Sequence, residues 1–200
     1  AIIHSATLAH QLKLDTKRLE EAGIFLDPSH VKVDFEKVME RVRKIRCQIS
    51  HHDSAERYSK ELGVEIFIGR GKFTSERTVV VNGRTLHFKK AVVATGGYPT
   101  LIPMNGLDEL YKKATANSDM DPRPIIMTNE TFFNLTKRPE HMVVVGAGAI
   151  GVEFAYVYHS MGTEVTIVEF MPEGLVPRED TDVSKELTKI FKKKGVKVLV

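Results

Sequence analysis

VVVGAGAIGVEFAYVYHSMGTEVTIVEF, running from Val143 to Phe170, decides the fold of this chain. An apolar strand leads directly into three glycines with GxGxxG spacing, a helical pattern follows, and a second apolar strand ends in an acidic residue. GxGxxG alone is a weak signal, because chance and helix packing both produce it. A strand–turn–helix context with an acidic residue about 20 positions further on is typical of a dinucleotide-binding turn. The stretch therefore predicts a Rossmann half with a dinucleotide site.

Each residue of this pattern has a mechanical reason. Gly146 permits the tight turn out of the strand, and Gly148 lets the backbone approach a pyrophosphate at the positive end of the helix. Gly151 allows the helix to pack closely on the sheet, and Glu169, 18 residues later, can accept the hydroxyl hydrogens of an adenosine ribose. A Rossmann half that has lost its ligand, or that binds a different nucleotide, remains the alternative.

Glu169 also favours NAD over NADP, because its carboxylate would repel a 2′-phosphate. No arginine or lysine follows it until Arg178, so the sequence offers no close cation to hold that phosphate. We therefore expect NAD(H) to be the cofactor of this half.

Outward from this stretch, the chain alternates strand and helix to its last residue, which predicts parallel α/β structure with right-handed crossovers. Upstream, apolar residues at three- and four-residue steps predict helices, and β-branched runs predict strands. Asn82-Gly83 between two such runs predicts a hairpin, and the proline-containing segment from Tyr98 to Arg138 predicts a boundary between two units. The predicted upstream helices are Ala1–Lys13 and Asp34–Leu62, and the predicted strands are Val64–Gly69, Arg77–Val81 and Lys90–Gly97.

Composition restricts the class of protein. A chain of 200 residues with 42% hydrophobic and 28% charged residues has an ordinary globular mix for one or two domains. The net charge of +3 is too small to indicate a nucleic-acid partner, and no apolar run approaches the roughly 20 residues of a membrane span. The single cysteine, Cys47, cannot form an internal disulfide, which favours a reducing, intracellular compartment.

Four segments together resemble the flavin-dependent pyridine nucleotide–disulfide oxidoreductases, and within them the dihydrolipoamide dehydrogenase and mercuric reductase branch. They are ELGVEIFIGRGKF (Glu61–Phe73), AVVATGGYPTLIPMNGL (Ala91–Leu107), TNETFFNLTKRPEHMVVVGAGAIGVEFA (Thr128–Ala155) and LVPRED (Leu175–Asp180). The resemblance implies an α/β fold with two Rossmann-like, three-layer domains, for FAD and NAD(P), and a small β-meander. Both domains would be incomplete here: residues 1–137 belong to the FAD-binding domain and 138–200 form the first half of an NAD(H)-binding domain.

The resemblance also implies chemistry. In this family a hydride passes from the nicotinamide to FAD, and electrons then pass to a cysteine pair. The chain thus looks like part of an FAD-dependent, NADH-linked thiol–disulfide or mercuric-ion oxidoreductase. Besides the NAD residues above, the resemblance places Glu153 near the flavin, paired with a lysine of the redox helix. The residues that it places against FAD are Gly71, Lys72, Ala94, Thr95 and Gly96.

Three parts of the family pattern do not occur in this sequence: the first GxGxxG, the CxxxxC redox motif, and the C-terminal interface domain with its histidine. Both ends of the chain look like cuts, so we expect a fragment whose redox cysteines precede Ala1. We predict no catalytic residue in this chain, and we expect that alone it neither holds FAD firmly nor turns over. The resemblance further implies a homodimer that acts on a small-molecule or metal-ion substrate, and it leaves the final acceptor open.

Two alternatives remain. One is a flavoprotein such as an NADH oxidase, a peroxidase or a ferredoxin reductase, which uses a single cysteine or none. The other is a redox-inactive nucleotide-binding module. No metal site is predicted, because His51, His52 and Asp53 are consecutive on a helix and point about 100° apart. The lysines of Lys192–Lys197 indicate a charged surface at a helix C-terminus.

Overall fold

The computed structural model describes residues 1–110 and 126–200, and residues 111–125 of the predicted boundary segment lie outside the described part. The chain forms two compact units. The larger unit comprises Ala1–Arg43 and Asn105–Val200, and the smaller unit comprises Lys44–Met104. The predicted division into residues 1–137 and 138–200 refers to domains of a longer protein and stays a prediction.

The larger unit contains a parallel sheet in the order β4-β5-β6. Strands β4 (His141–Val145) and β5 (Glu164–Val168) are joined by helix α5 (Ala149–Ser160), and β5 is joined to β6 (Lys197–Leu199) by helix α6 (Thr181–Lys193). The register pairs each residue of β4 with one residue of β5, from the first to the last. The predicted strand–helix–strand–helix–strand alternation is confirmed, and with it the α/β class.

Both crossover helices have sequence reasons to begin and end where they do. The Asp180 side chain accepts a 2.9 Å hydrogen bond from the Asp182 N–H and so caps the start of α6. Gly162 and Gly195 adopt positive φ just after α5 and α6, where a left-handed residue ends a helix at low cost. The apolar faces of the helices meet the sheet in one core. Its most deeply buried members include Tyr158, Val157, Val165, Ile167 and Leu175.

The N-terminal part of the larger unit is helical. Helix α1 (Ile2–Leu14) packs along α5, followed by α2 (Thr16–Glu21) and a short 3₁₀ turn (Pro28–His30). Helix α3 (Phe35–His52) begins with buried Phe35, whose ring lies 5.7 Å from that of Tyr158. The predicted helix at Ala1–Lys13 is confirmed within one residue at each end.

The helix predicted over Asp34–Leu62 is divided in two, which is a correction. Helix α3 ends at His52 and helix α4 covers Ala55–Lys60. Between them Ser54 is extended, with φ −77° and ψ 142°, and its Oγ accepts a 3.2 Å hydrogen bond from the Arg57 N–H. A serine that caps a new helix start competes with continuing the old one, and periodicity alone does not detect this.

The smaller unit contains an antiparallel meander in the order β1-β2-β3. Its strands are β1 (Lys72–Ser75), β2 (Thr78–Val81) and β3 (Arg84–His87). Asn82 and Gly83 join β2 to β3 with φ of 47° and 77°. Two consecutive positive φ values are the mark of a type I′ turn, so the hairpin prediction is confirmed.

Two predicted strands, Val64–Gly69 and Lys90–Gly97, are irregular in the structure, which corrects the prediction. Their residues are β-branched and apolar, but a strand also needs a neighbour to accept and donate its backbone hydrogen bonds. Neither segment pairs with a strand among residues 1–110 and 126–200. Val92 is accordingly 90% exposed and Val93 68% exposed.

Candidate dinucleotide-binding site

The turn between β4 and α5 carries the three predicted glycines. Gly146 has φ +98°, a conformation that residues with a Cβ rarely adopt, and its N–H donates a 2.8 Å hydrogen bond to the Val168 carbonyl of β5. The tight exit from the strand therefore needs glycine at this position, as the sequence predicts. The same hydrogen bond ties the start of the turn to the neighbouring strand.

Gly151 lies one turn into α5 and is needed for a different reason. A Cβ at this position would collide with the Gly146 carbonyl oxygen and would lie 3.2 Å from Cγ1 of Val144. Both obstacles belong to the strand and turn beneath the helix, so a side chain here would push the helix off the sheet. The predicted role of Gly151 in close helix–sheet packing agrees with this geometry.

Gly148 is the N-cap of α5 and faces open space. Its φ of −65° and ψ of 174° are accessible to any residue, and a Cβ would meet nothing within 4 Å. The first N–H groups of a helix have no intrahelical acceptor and carry the positive end of its dipole. No side chain caps them in α5. The described structure thus leaves room for an anionic ligand above Gly148 and does not itself require a glycine there.

Glu169 follows the last residue of β5 and turns toward the glycine turn. Its carboxylate accepts hydrogen bonds from three backbone N–H groups, those of Ala147 at 2.6 Å, Phe170 at 2.8 Å and Met171 at 3.0 Å. Burial alone would raise the pKa of Glu169, but these three donors and Arg178 outweigh it and hold the pKa below its ordinary value. Glu169 is therefore ionised at neutral pH, as a ribose-binding acceptor must be.

A cavity of about 330 Å³ opens between the start of α5 and the loop after β5. Its volume is in the range of small-molecule and cofactor sites. It brings together the predicted Gly148 and Glu169 and adds residues of the loop that leads to α6. The lining residues are Gly148, Ala149, Glu169, Met171, Val176, Pro177, Arg178 and Glu179.

Arg178 is the functional candidate that sequence reasoning misjudged. It is nine positions beyond Glu169 in sequence, yet it lines the same cavity and lowers the pKa of Glu169. The loop returns because the Val176 N–H donates a 2.7 Å hydrogen bond to the Ala147 carbonyl and the Leu175 N–H donates a 2.9 Å bond to Thr188 Oγ1. Identifying Arg178 would have required a sequence signal that this loop folds back onto the glycine turn. The residues of the loop carry no such signal.

The remaining predicted site residues are not part of this cavity. Glu153 is exposed on α5. The five positions assigned to FAD belong to the smaller unit: Gly71 precedes β1, Lys72 begins it, and Ala94, Thr95 and Gly96 form an exposed turn. Gly96 has φ +70°, so this turn uses its glycine for backbone conformation. Their contact with a flavin stays a prediction.

Further signals of the sequence have a structural outcome. Cys47 is an exposed free thiol on α3. In the described ranges, no three histidine, cysteine or acidic side chains come together as a metal site, and no helix there has the length and apolar character to cross a membrane. Of the terminal lysines, Lys194 is not only a surface charge, because its Nζ contacts the ring of His10.

The chain is similar in sequence to known proteins. Residues 4–200 match the family model described as pyridine nucleotide-disulphide oxidoreductase. The dihydrolipoyl dehydrogenase of Mycobacterium leprae is 33% identical over 209 residues, covering 99% of this chain and 39% of that protein. The mercuric reductase of Bacillus cereus is 30% identical over 139 residues, covering 70% of this chain and 20% of that protein.

A solved structure, the HOCl-induced flavoprotein disulfide reductase RclA from Escherichia coli, superposes on all of this chain with a TM-score of 0.68. At 22% identity this likeness is one of fold, and it covers 38% of the RclA chain. The chain thus spans about two fifths or less of the relatives that it matches.

Proposed function

Because this chain belongs to the pyridine nucleotide–disulphide oxidoreductase family, we propose that it is part of an FAD-dependent, NADH-linked oxidoreductase that acts on a disulfide, a dithiol or mercuric ion. When bound, the two cofactors supply hydride transfer from nicotinamide to flavin, and the flavin passes the electrons on to a redox dithiol. What this chain contributes is the adenosine and pyrophosphate part of the NADH site, together with a share of the FAD domain.

The observation that carries the proposal is the position of Glu169, whose carboxylate lies against the glycine turn and lines the same cavity as Gly148. The uncapped start of α5 above Gly148 suits a pyrophosphate, and the ionised carboxylate suits two ribose hydroxyls. The three backbone N–H groups that donate to Glu169 hold the carboxylate in the lining of the cavity. The residues present therefore fit a dinucleotide.

Cofactor preference follows from the two charges that line this cavity. Glu169 repels a 2′-phosphate, whereas Arg178 attracts one. Three N–H groups fix the carboxylate against the glycine turn, and Arg178 lies on the loop beyond it. If the ribose binds at Glu169, as we propose, NADH is preferred, and Arg178 makes the preference less strict than the sequence alone predicts.

The wider assignment is also a proposal. It includes an FAD-binding domain of residues 1–137, which contacts flavin through Gly71, Lys72 and the Ala94–Gly96 turn. It also includes a Rossmann-like NAD(H) domain that begins at residue 138, with Glu153 near the flavin. It also includes a homodimer and a redox cysteine pair encoded before Ala1. Its support is the family match over residues 4–200 and the resemblance of the ordered segments.

The test is an anaerobic titration of the intact protein with NADH while the visible spectrum is recorded. A long-wavelength thiolate-to-flavin band is expected, and it would report the flavin, the cysteine pair and NADH use together. Flavin bleaching without that band would favour the alternative of an NADH oxidase, peroxidase or ferredoxin reductase. A protein that binds NADH but holds no flavin would be the redox-inactive module.

A further inference from the structure

In the larger unit, α1, α5 and the residue that follows α6 bring three basic side chains together. His10 of α1 is only 8% exposed. The Nζ of Lys194, just after α6, lies 2.5 Å from Nε2 of His10, and His159 near the end of α5 is close enough to act on it electrostatically. The ring of Tyr156, also on α5, lies 5.6 Å from the His10 imidazole.

The contact with Lys194 sets the protonation state of His10. An ammonium group has hydrogens to donate and no lone pair to accept with, so Nε2 must be the acceptor and the ring proton must sit on Nδ1. His10 Nδ1 is itself buried without a hydrogen-bond partner among the described residues. An imidazolium in this position would direct an N–H group at the ammonium, so the docked helix requires neutral His10.

Burial and the two basic neighbours of His10 also favour its neutral form, and they outweigh one acidic neighbour. Burial is the largest influence and lowers the pKa of His10, and Lys194 and His159 lower it further. Asp15, at the end of α1, is the one neighbour that raises it. Helix α3 also contacts the start of α1, where Arg41 Nη1 donates a 3.1 Å hydrogen bond to the Ala1 carbonyl. No charged group of α2, of α3 or of the Pro28–His30 turn is among these influences.

The apolar area that α1 buries is small, so the charge of His10 affects whether the helix stays docked. Among the α1 side chains whose burial the structure describes, the buried hydrophobic ones are Ile2, Ala6 and Ala9, and two of these three are alanines. An alanine contributes little apolar area compared with a leucine or a phenylalanine. His10 is also buried and lies beside the ring of Tyr156, so it is part of what holds α1 against α5.

We propose that the His10–Lys194–His159 cluster is a pH-sensitive contact that docks α1 on α5 at neutral pH and releases it below about pH 6.5, where a free histidine titrates. In the open state His10 binds a proton more tightly than in the docked state. The ratio of open to docked α1 therefore rises as the pH falls, by up to about tenfold per pH unit. It levels off once the pH is below the pKa of docked His10.

Amide hydrogen exchange of the full chain tests the proposal. Protection of α1 is measured from pH 7.5 to pH 5.5, with rates corrected for the intrinsic pH dependence of exchange, and β5 serves as the internal reference. The expected result is a loss of protection in α1 approaching about tenfold per pH unit below pH 6.5, with little change in β5.

Three variants separate the titration from a general loss of stability. His10→Gln keeps an acceptor for Lys194 but cannot titrate, so its α1 protection becomes independent of pH. His4→Gln changes an exposed histidine of the same helix and keeps the wild-type dependence. Lys194→Gln removes the ammonium at an exposed position, so its α1 protection depends less on pH. If His10→Gln fails to fold, the Lys194→Gln result alone tests the proposal. Protection of α1 that ignores pH, or that responds to it equally in wild type, His10→Gln and Lys194→Gln, overturns the proposal.

Discussion

Two glycine-containing turns follow apolar segments in this chain, and their surroundings differ sharply. The turn at Gly146 is held by hydrogen bonds to the end of β5, to Glu169 and to the loop before α6. The turn at Ala94–Gly96 has no hydrogen bond to any described residue, and the valines before it are exposed. Both turns have predicted cofactor roles, and the first contributes Gly148 and Ala149 to the lining of a cavity.

The difference lies in where the partners of each turn come from. Every element that holds the Gly146 turn lies between residues 141 and 199, in a strand–helix–strand–helix–strand order that pairs neighbours in sequence. Such local pairing assembles one sheet edge from one continuous stretch. The Ala94–Gly96 turn lacks a paired strand among the described residues. The reliability of a site predicted from a cofactor motif therefore depends on the contacts that the same stretch of sequence supplies.

The largest effect is expected from Gly151→Ala. The new Cβ collides with the Gly146 carbonyl, so α5 must shift from the sheet, and we expect a loss of roughly 1–3 kcal/mol in the free energy of unfolding. Thermal unfolding and NADH binding measure the two consequences. Gly148→Ala is the matched control: its Cβ meets open space, so stability should fall by no more than about 1 kcal/mol for the weaker N-cap while NADH affinity drops. Equal stability of the two variants would contradict the packing role.

Glu169→Arg should move cofactor preference in the intact protein toward NADPH. Exchanging a repelling charge for an attracting one at the ribose should change the ratio of the two Kd values by about tenfold or more, a difference of about 1.4 kcal/mol. Fluorescence titration with NADH and NADPH measures it. Arg178→Gln should act oppositely and more weakly, lowering NADPH affinity while sparing NADH. An unchanged preference in Glu169→Arg would show that the ribose assignment is wrong.

The hydrogen bonds of Glu169 predict a smaller effect that depends on pH. Its pKa lies below the ordinary 4.5, so its stabilising contribution is present above that pH and is lost as the pH falls through the lowered pKa. Glu169→Gln should therefore lower the free energy of unfolding by about 1 kcal/mol at pH 7, a value reduced for partial exposure. At low pH it should not lower it. Tm measured from pH 7 to pH 3 tests this. Glu153→Gln, at an exposed carboxylate of α5, should show no such convergence.

Much of the larger unit could be predicted because its signals are local. The three glycines, the β-branched strands and the acidic residue at the end of β5 lie in one stretch, and each has a single mechanical reason. Arg178 could not be predicted, because its position depends on the hydrogen bond from Val176 to Ala147, between a loop and a turn far apart in sequence. Val176 also adopts φ +46°, a conformation that the preferences of valine do not predict.

The wrong predictions have two causes. The break between α3 and α4 reflects a capping serine, Ser54, that competes with helical periodicity. The segments Val64–Gly69 and Lys90–Gly97 have strand-like composition, but composition describes what a strand can bury and not whether a neighbour is present to pair with it. The His10–Lys194 contact joins residues 184 positions apart, so no local pattern in the sequence predicts it either.

The smallest effect on the larger unit is expected from Gly96→Ala, which sharpens the comparison of the two turns. The φ of +70° makes an alanine here strained by about 1 kcal/mol, although a Cβ would meet nothing within 4 Å. NADH affinity should be unchanged, because the Gly146 turn is assembled by residues 141–199, whereas the intact protein should lose flavin faster on gel filtration. Gly97→Ala, next in sequence, in equally open space and without a positive φ, should retain flavin as wild type does. If both variants retained flavin equally well, the Ala94–Gly96 turn would not be a flavin contact, and the assignment of this region to FAD would lose its most specific residues.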